Sequence, residues 1–450
     1  MLKLHPKADF HETCPADGDN LKFKSTVIPG MWCMAETVCP ACETEYYVNL
    51  PVAHAIENQH FINAKTGEIV KLNRSNWLTK TLKQSFSEPV FQEVVPIVHK
   101  FWDADRIIII NCLDFLYGHC LLKLLNAQRY LDNYPDLGCC VLVPKQLVHL
   151  VPDGVAEIWE FPVSIKEGMN WYPSLQNWIE EQIFQRAECY LSRAYSHPSN
   201  KVYDLDRFVR NLPDISDAIA PYQPIIMWSH REDRLWGKSL QHQQRNIQKL
   251  YQRLSEVFPD LAFVLVGFGK KMKIEETGGK VIDLRTDQFD VERDRLWMAY
   301  MSAADCTVGV HGSNMLLPSG LAKSSVELVS RSRLGNIFQA TLFSPEFSDN
   351  RDAFLKYRYL YGDNQLTDLS TKQILDLIVS LIAFQDKASH ILKAGEGKSS
   401  NFVFRNTTLS EVAQTFYRQP SYPVGIKNRI KGKIQRILQE GMHRLDTFFW

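Results

Sequence analysis

Three groups of residues in this chain combine types and spacings suited to chemistry. The first is Val308-Gly-Val-His311-Gly312-Ser313-Asn314-Met-Leu-Leu-Pro318. A short β-branched run ends in His-Gly, and a helix start follows at Ser313-Asn314. Gly312 lets the backbone approach a ligand closely, and a helix N-terminus presents free N–H groups at the positive end of its dipole. A nucleotide diphosphate fits such a turn; an ordinary strand–helix turn with His311 as a structural histidine is the alternative. The second group is Ser229-His230-Arg231-Glu232-Asp233-Arg234. An arginine at the carboxyl end of a strand can hold phosphate bidentately, or it can pair with Glu232 or Asp233 on a solvated loop. The third is His11-x-x-Cys14 with Cys39-Pro-Ala-Cys42. Paired knuckles of this kind grip tetrahedral zinc, so His11, Cys14, Cys39 and Cys42 are candidate ligands of a structural zinc. Reduced surface or core cysteines are the alternative. Four protein ligands would leave no open position for chemistry.

These groups need a scaffold, and the hydrophobic pattern supplies one. Arg106–Cys112, Gly138–Pro144 and Glu157–Phe161 read as buried strands, with leucines at helical spacing from Leu121 to Leu131 between the first two. Residues 174–212 read as helical and then polar, and 211–216 as a linker. Strands at 224–229, 261–267, 280–284, 305–310 and 325–329 follow, with helices over 243–257 and 295–303 between them. Strand, helix, strand in this order implies parallel open sheets. The expected fold is α/β with two Rossmann-like lobes and a Cys-containing N-terminal extension. The segments are 1–98, an N-terminal segment read as zinc-ribbon-like; 99–212, the first lobe; 213–385, the second; and 386–450, a helical tail. Open sheets bind ligands beyond the carboxyl ends of their strands.

At 450 residues, with 45% hydrophobic and 23% charged residues, the chain has globular composition. Lys plus Arg and Asp plus Glu number 51 each, so no global basic field exists to attract nucleic acid. No opening apolar run suggests a signal peptide, and no stretch is long enough to span a bilayer. A cytoplasmic, reducing setting is therefore expected for the ten cysteines. The end, Gly425–Trp450, is basic and amphipathic; it can pack on the first lobe or make peripheral contact with anionic lipid.

Three stretches, in order, are similar to glycosyltransferase family 61. His311-Gly-Ser-Asn-Met-Leu-Leu-Pro with Val326-Glu327-Leu resembles its His-Gly-Ala-Gly-Leu-Thr-Asn and Val-Glu-Ile stretch. Ser229-His-Arg231 resembles its Ser-Arg-Arg motif. Tyr117-Gly-His119-Cys-Leu-Leu resembles its Asn-Tyr-Gly-His-Trp-Leu-Leu. The resemblance implies a GT-B fold and inverting transfer from a nucleotide sugar to a glycan or glycolipid acceptor in surface-polysaccharide assembly. By it, Arg231 faces phosphate, His311, Gly312, Ser313 and Asn314 meet the donor, and Glu327 meets the ribose. Inverting transfer needs a base near the acceptor hydroxyl, and His119 or Asp114 stands on the loop where one is expected. His230 replaces an arginine, the Asn314 stretch is shortened, and Lys123 stands where the family often has an acid. Asp103-Ala-Asp105 precedes its strand, the wrong end for a metal motif, so no catalytic metal is expected. A non-catalytic glycan- or nucleotide-binding module, or a nucleotide-sugar epimerase or hydrolase, would share the two-lobed cleft.

Overall fold

The computed structural model describes residues 1–71, 77–197, 202–271, 273–337, 341–345 and 353–393. Residues 1–386 form one compact unit. The basic tail from Gly425 lies outside the described residues.

This unit contains three sheets. Strand β1 (Leu2–His5) opens the chain. A five-stranded antiparallel meander follows: β2 (Lys22–Val27), β3 (Met34–Val38), β4 (Glu45–Asn49), β5 (His60–Asn63) and β6 (Ile69–Lys71). The central strands are apolar on both faces: Ile62 faces the core under the first lobe, and its neighbour Phe61 joins Tyr46 and Val48 in a small separate cluster. Val27, Ile28, Met34 and Ile62 join the core under the first lobe.

The first lobe is a six-stranded sheet of β1, β7 (Ile97–Lys100), β8 (Arg106–Asn111), β9 (Gly138–Pro144), β10 (Glu157–Phe161) and β11 (Glu188–Leu191). Its order is β1-β11-β8-β9-β10-β7, with the four central strands parallel and the two edges antiparallel. β8 and β9 are continuous β-branched or apolar runs because both faces are covered. Glu188–Leu191, within a stretch read as helical and then polar, instead form β11; the helix stops at Phe184.

The second lobe is a six-stranded parallel sheet of β12 (Ile225–His230), β13 (Ala262–Gly267), β14 (Lys280–Asp283), β15 (Cys306–Val310), β16 (Ser325–Ser330) and β17 (Tyr357–Gly362), ordered β14-β13-β12-β15-β16-β17. Numbered within the lobe this is 3-2-1-4-5-6, the Rossmann order. The central four strands of the first lobe run 3-2-1-4 in the same sense. The architecture is thus α/β with two Rossmann-like lobes of GT-B type and a Cys-containing N-terminal sheet. Among the described residues no helix is long and apolar enough to cross a membrane.

Candidate functional site

In a sheet of this order the chain winds outward on both sides from its first strand, leaving a crevice where the winding reverses. In the second lobe that point lies between β12 and β15, and the two motifs singled out above follow those strands. In the first lobe it lies between β8 and β11, where Asp114 and His119 follow β8 and His197 follows β11. A cavity of about 890 Å³ opens between the lobes. Tyr117, Gln146, Ser164 and Lys166 line it from one side; Arg231, Phe268, Phe289, Trp297, Ser313 and Asn314 line it from the other. His149 and Asp294 join the lobes beside it, Nε2 to Oδ2 at 2.9 Å.

The second-lobe wall is a knot of hydrogen bonds across the switch point. Ser229 Oγ donates to the Asn314 carbonyl at 3.0 Å, and Asn314 Nδ2 donates back to Ser229 Oγ at 3.1 Å. Arg231 donates to Asn314 Oδ1 at 2.6 Å and also forks onto Asp233 at 2.7 and 2.6 Å. Arg231 thus lines the cavity while paired with its neighbouring carboxylate, the contact expected of it on a charged loop. Arg234 donates to the His311 carbonyl at 3.1 Å and has no carboxylate within ion-pair distance among the described residues. Burial, then the neighbouring Arg231 and Arg333, pull its pKa down to about 10. Such a crowded set of guanidiniums favours an incoming anion.

Gly312 is what lets the arginines close in. Its φ is +150°, and a Cβ there would lie 2.3 Å from Arg231 Nη1 and 2.6 Å from Arg234 Nη1. Beneath it, buried His311 holds Glu327 through Nδ1···Oε2 at 2.6 Å. Burial raises the Glu327 carboxyl, with His311 partly opposing. Glu327 is fully buried, so the ribose contact expected of it is not what the structure gives; it fixes the imidazole under the turn instead. The helical segment expected at Ser313-Asn314 begins as a single 3-10 turn, Ser313–Met315, and continues as Leu316–Leu321.

The first-lobe side is built on Asp114, which is fully buried. Its Oδ1 accepts from the Phe115 and Leu116 N–H groups at 2.9 and 3.3 Å and from His119 Nδ1 at 3.2 Å. Its Oδ2 meets His54 Nε2 at 2.7 Å and Lys123 Nζ at 2.9 Å. Burial alone would raise this carboxyl, but Lys123, His119 and His54 together hold it well below the usual range. An ionised carboxylate accepts only, so both histidines donate to it and their other ring nitrogens are left as acceptors. Burial lowers the His54 pKa against the pull of Asp114, keeping that ring neutral. With both oxygens engaged and no exposure, Asp114 orients the two histidines, and His119 is the more exposed of the two expected bases. Lys123, the departure from the family pattern, is fully buried, donates to the Leu113 carbonyl at 2.8 Å, and supplies the countercharge.

Gly118 brings the two sides together. A Cβ on it would lie 2.7 Å from Ser313 Cβ, so the helix Tyr117–Leu125 abuts the Ser313 turn one residue before His119. The His119 ring stands against His54, Trp77 and His197, with centroids at 4.8, 5.8 and 5.3 Å. His54 carried no local signal: it sits 60 residues from Asp114. Asp103 pairs with Lys100 at the amino end of β8, away from the cleft strand ends.

In the front sheet, Cys14, Cys39 and Cys42 converge, and their ligand atoms lie within 4.8 Å of one another. His11 does not join them. Its side chain is 90% exposed and faces Asp9 at 3.5 Å. Asp17 occupies the fourth place.

No protein-family model and no curated protein matches the chain. Several solved structures are similar at low identity. ADP-heptose LPS heptosyltransferase II from E. coli shares 12% identity over 62% of this chain and 99% of its own, with a TM-score of 0.37. A glycosyl transferase family 9 protein from Veillonella parvula shares 10% over 65% and 99%, at 0.41. The iron-containing dodecameric glycosyltransferase TibC from enterotoxigenic E. coli shares 8% over 84% and 98%, at 0.35. Scores this low carry no inference about activity, which rests on the residues themselves.

Proposed function

We propose that the chain is an inverting glycosyltransferase, moving a sugar from a nucleotide-sugar donor to a glycan or glycolipid acceptor in surface-polysaccharide assembly. The observation that carries this reading is the close approach of two unlike strand-end sites, through Gly118 and Ser313, beside the interlobe cavity. One is rich in guanidinium groups around Gly312; the other is a histidine oriented by a buried carboxylate. In this reading the donor diphosphate lies against Arg231, Arg234 and the His311–Asn314 turn. His119 Nδ1 donates to Asp114, and Nε2 takes the proton of the acceptor hydroxyl as its oxygen attacks the anomeric carbon. The carbon–oxygen bond to the diphosphate breaks on the opposite face, and its electron pair leaves with the diphosphate toward the arginines. Configuration at the anomeric carbon inverts.

We infer that no divalent ion takes part in the step. Of the four carboxylates lining the cavity, Asp233 is held by Arg231, Asp294 by His149, and Glu232 by the Lys270 N–H at 3.0 Å, which leaves exposed Asp287 as the one to offer an ion. Fixed cations then stabilise the leaving charge.

The test begins with thermal shift against ADP-, GDP- and UDP-sugars, since a donor at a hundred times its Kd stabilises the native state by about 2.7 kcal/mol. With the donor found, His119→Ala is expected to lower kcat by about 10²–10⁴-fold while donor binding stays. Turnover is expected to survive exhaustive chelation. No stabilisation by any sugar nucleotide, or full kcat in His119→Ala, would overturn the reading. Activity lost to EDTA and restored by magnesium or manganese would overturn its metal-free step.

A further inference from the structure

The front sheet carries one short sequence twice, as Cys14-Pro15-Ala16-Asp17-Gly18 and Cys39-Pro40-Ala41-Cys42-Glu43. The two copies fold alike. In each, the fifth residue returns its N–H to the first carbonyl, Gly18 to Cys14 at 2.9 Å and Glu43 to Cys39 at 3.0 Å. Each fifth residue has positive φ, +84° and +56°. Each leading cysteine donates its own N–H to the carbonyl five residues on, Asp19 or Thr44, at 2.7 and 2.9 Å. A proline in the second position presets the turn. The equivalence sets Asp17 where the second copy has Cys42.

The ligand atoms have the spacing a tetrahedral ion imposes. Cys14 Sγ and Cys42 Sγ stand 3.7 Å apart, and Cys39 Sγ lies 3.5 and 3.3 Å from the two Asp17 oxygens. Bonds of about 2.3 Å to sulfur and about 2.0–2.2 Å to oxygen, at tetrahedral angles, put sulfurs about 3.8 Å apart and sulfur from oxygen about 3.6 Å apart. We propose that Cys14, Asp17, Cys39 and Cys42 hold one zinc ion in a closed structural site.

Two further observations fit that role. Cys14 and Cys39 are buried with Leu21, Tyr46, Val48 and Phe61 in a small cluster separate from the cores of the lobes. A cluster of six such residues is little to hold two turns 25 residues apart in sequence, and metals commonly staple cores this small. Four protein ligands also leave no position for substrate, so the site stands apart from the transferase reading.

The test is metal analysis of the full-length chain, purified untagged under reducing conditions with zinc supplied. About one zinc per chain is expected. After dialysis against a mild chelator, Asp17→Ala and Cys39→Ser are expected to lose it, while Asp17→Cys and His11→Ala keep it. Cobalt exchanged into the wild type should give tetrahedral ligand-field bands with thiolate charge transfer. In Asp17→Cys the charge-transfer absorption should rise by about a third, as three thiolates become four. A wild-type chain without bound metal and with freely titrating Cys39 and Cys42 would overturn the proposal. So would zinc that survives Asp17→Ala but is lost in His11→Ala, or a chain that carries iron in its place.

Discussion

Replacing Gly312 by alanine separates the phosphate side of the cleft from the stability of the fold. At φ +150° an L side chain is strained, and positions of that kind cost about 1–3 kcal/mol. The added Cβ would also stand 2.3 and 2.6 Å from the Arg231 and Arg234 Nη1 atoms. Those atoms end flexible side chains, so the guanidiniums give way while the backbone holds. The contacts that then fail are Arg234 to the His311 carbonyl, 3.1 Å, and Arg231 to Asn314 Oδ1, 2.6 Å. Both fix where the positive charge is presented. A hydrogen bond to a charged group contributes about 1.5–3 kcal/mol, so two misplaced donors weaken diphosphate binding by about 3 kcal/mol or more. At 1.4 kcal/mol for each factor of ten, affinity falls at least about 100-fold. The assay is calorimetric titration of wild type and Gly312→Ala with ADP, GDP and UDP, alongside thermal melts of the free proteins. A variant that melts within a few degrees of wild type and binds the same diphosphate within threefold would refute the reasoning. The arginines around Gly312 would then have no part in holding phosphate.

Lys123→Met strips the countercharge from buried Asp114. The variant should lose about 3–5 kcal/mol of stability, and a loss below about 1 kcal/mol in chemical denaturation would show that His54 and His119 alone hold the carboxylate. His230 is buried at the end of β12, and burial followed by the charge of Arg285 pulls its pKa from 6.5 to about 4. A folded pKa below the unfolded one gives stability that is full above about pH 6.5 and is lost as pH falls toward 4. By linkage the loss is about 2 kcal/mol at pH 5. His230→Asn should flatten the stability–pH curve by that amount between pH 7 and 5, and parallel curves for the two proteins would count against it.

Much of the scaffold was legible because its strands are covered on both faces. Ile107–Ile110 and Ala262–Val266 are β-branched or apolar throughout, and nothing in their sequence competes with that reading. β11 was missed because Glu-Cys-Tyr-Leu is four residues long with a polar start, and it follows a helix without a break. The front meander was missed for a related reason: strands such as Lys-Phe-Lys-Ser-Thr-Val bury one face only and resemble loop in composition. At the cleft, Arg231 and the His311–Asn314 turn were local motifs and could be read as such. His54 and the buried state of Glu327 depend on contacts 60 and 16 residues away in sequence. Asp17 did have a signal, the repeated Cys-Pro-Ala. The nearer-looking His-x-x-Cys spacing concealed it, because ligand spacing alone cannot tell which side chain the turn aims inward.

The pairing of β1 with β11 bears on the order in which a ribosome delivers this protein. Leu2 lies opposite Leu191, so β1 waits for its partner through nearly 190 further residues. At about 5–20 residues per second that interval is roughly ten to forty seconds. The strands of the front meander pair with neighbours close in sequence, and low contact order lets them form promptly. The second lobe draws its whole sheet from residues 225–362, after the first lobe is already out. Throughout the wait the β1 edge and the apolar face of the meander are open to wrong partners. Early closure of the two Cys-Pro-Ala turns would hold the front sheet in register through that wait, making it a template on which the first lobe is later assembled.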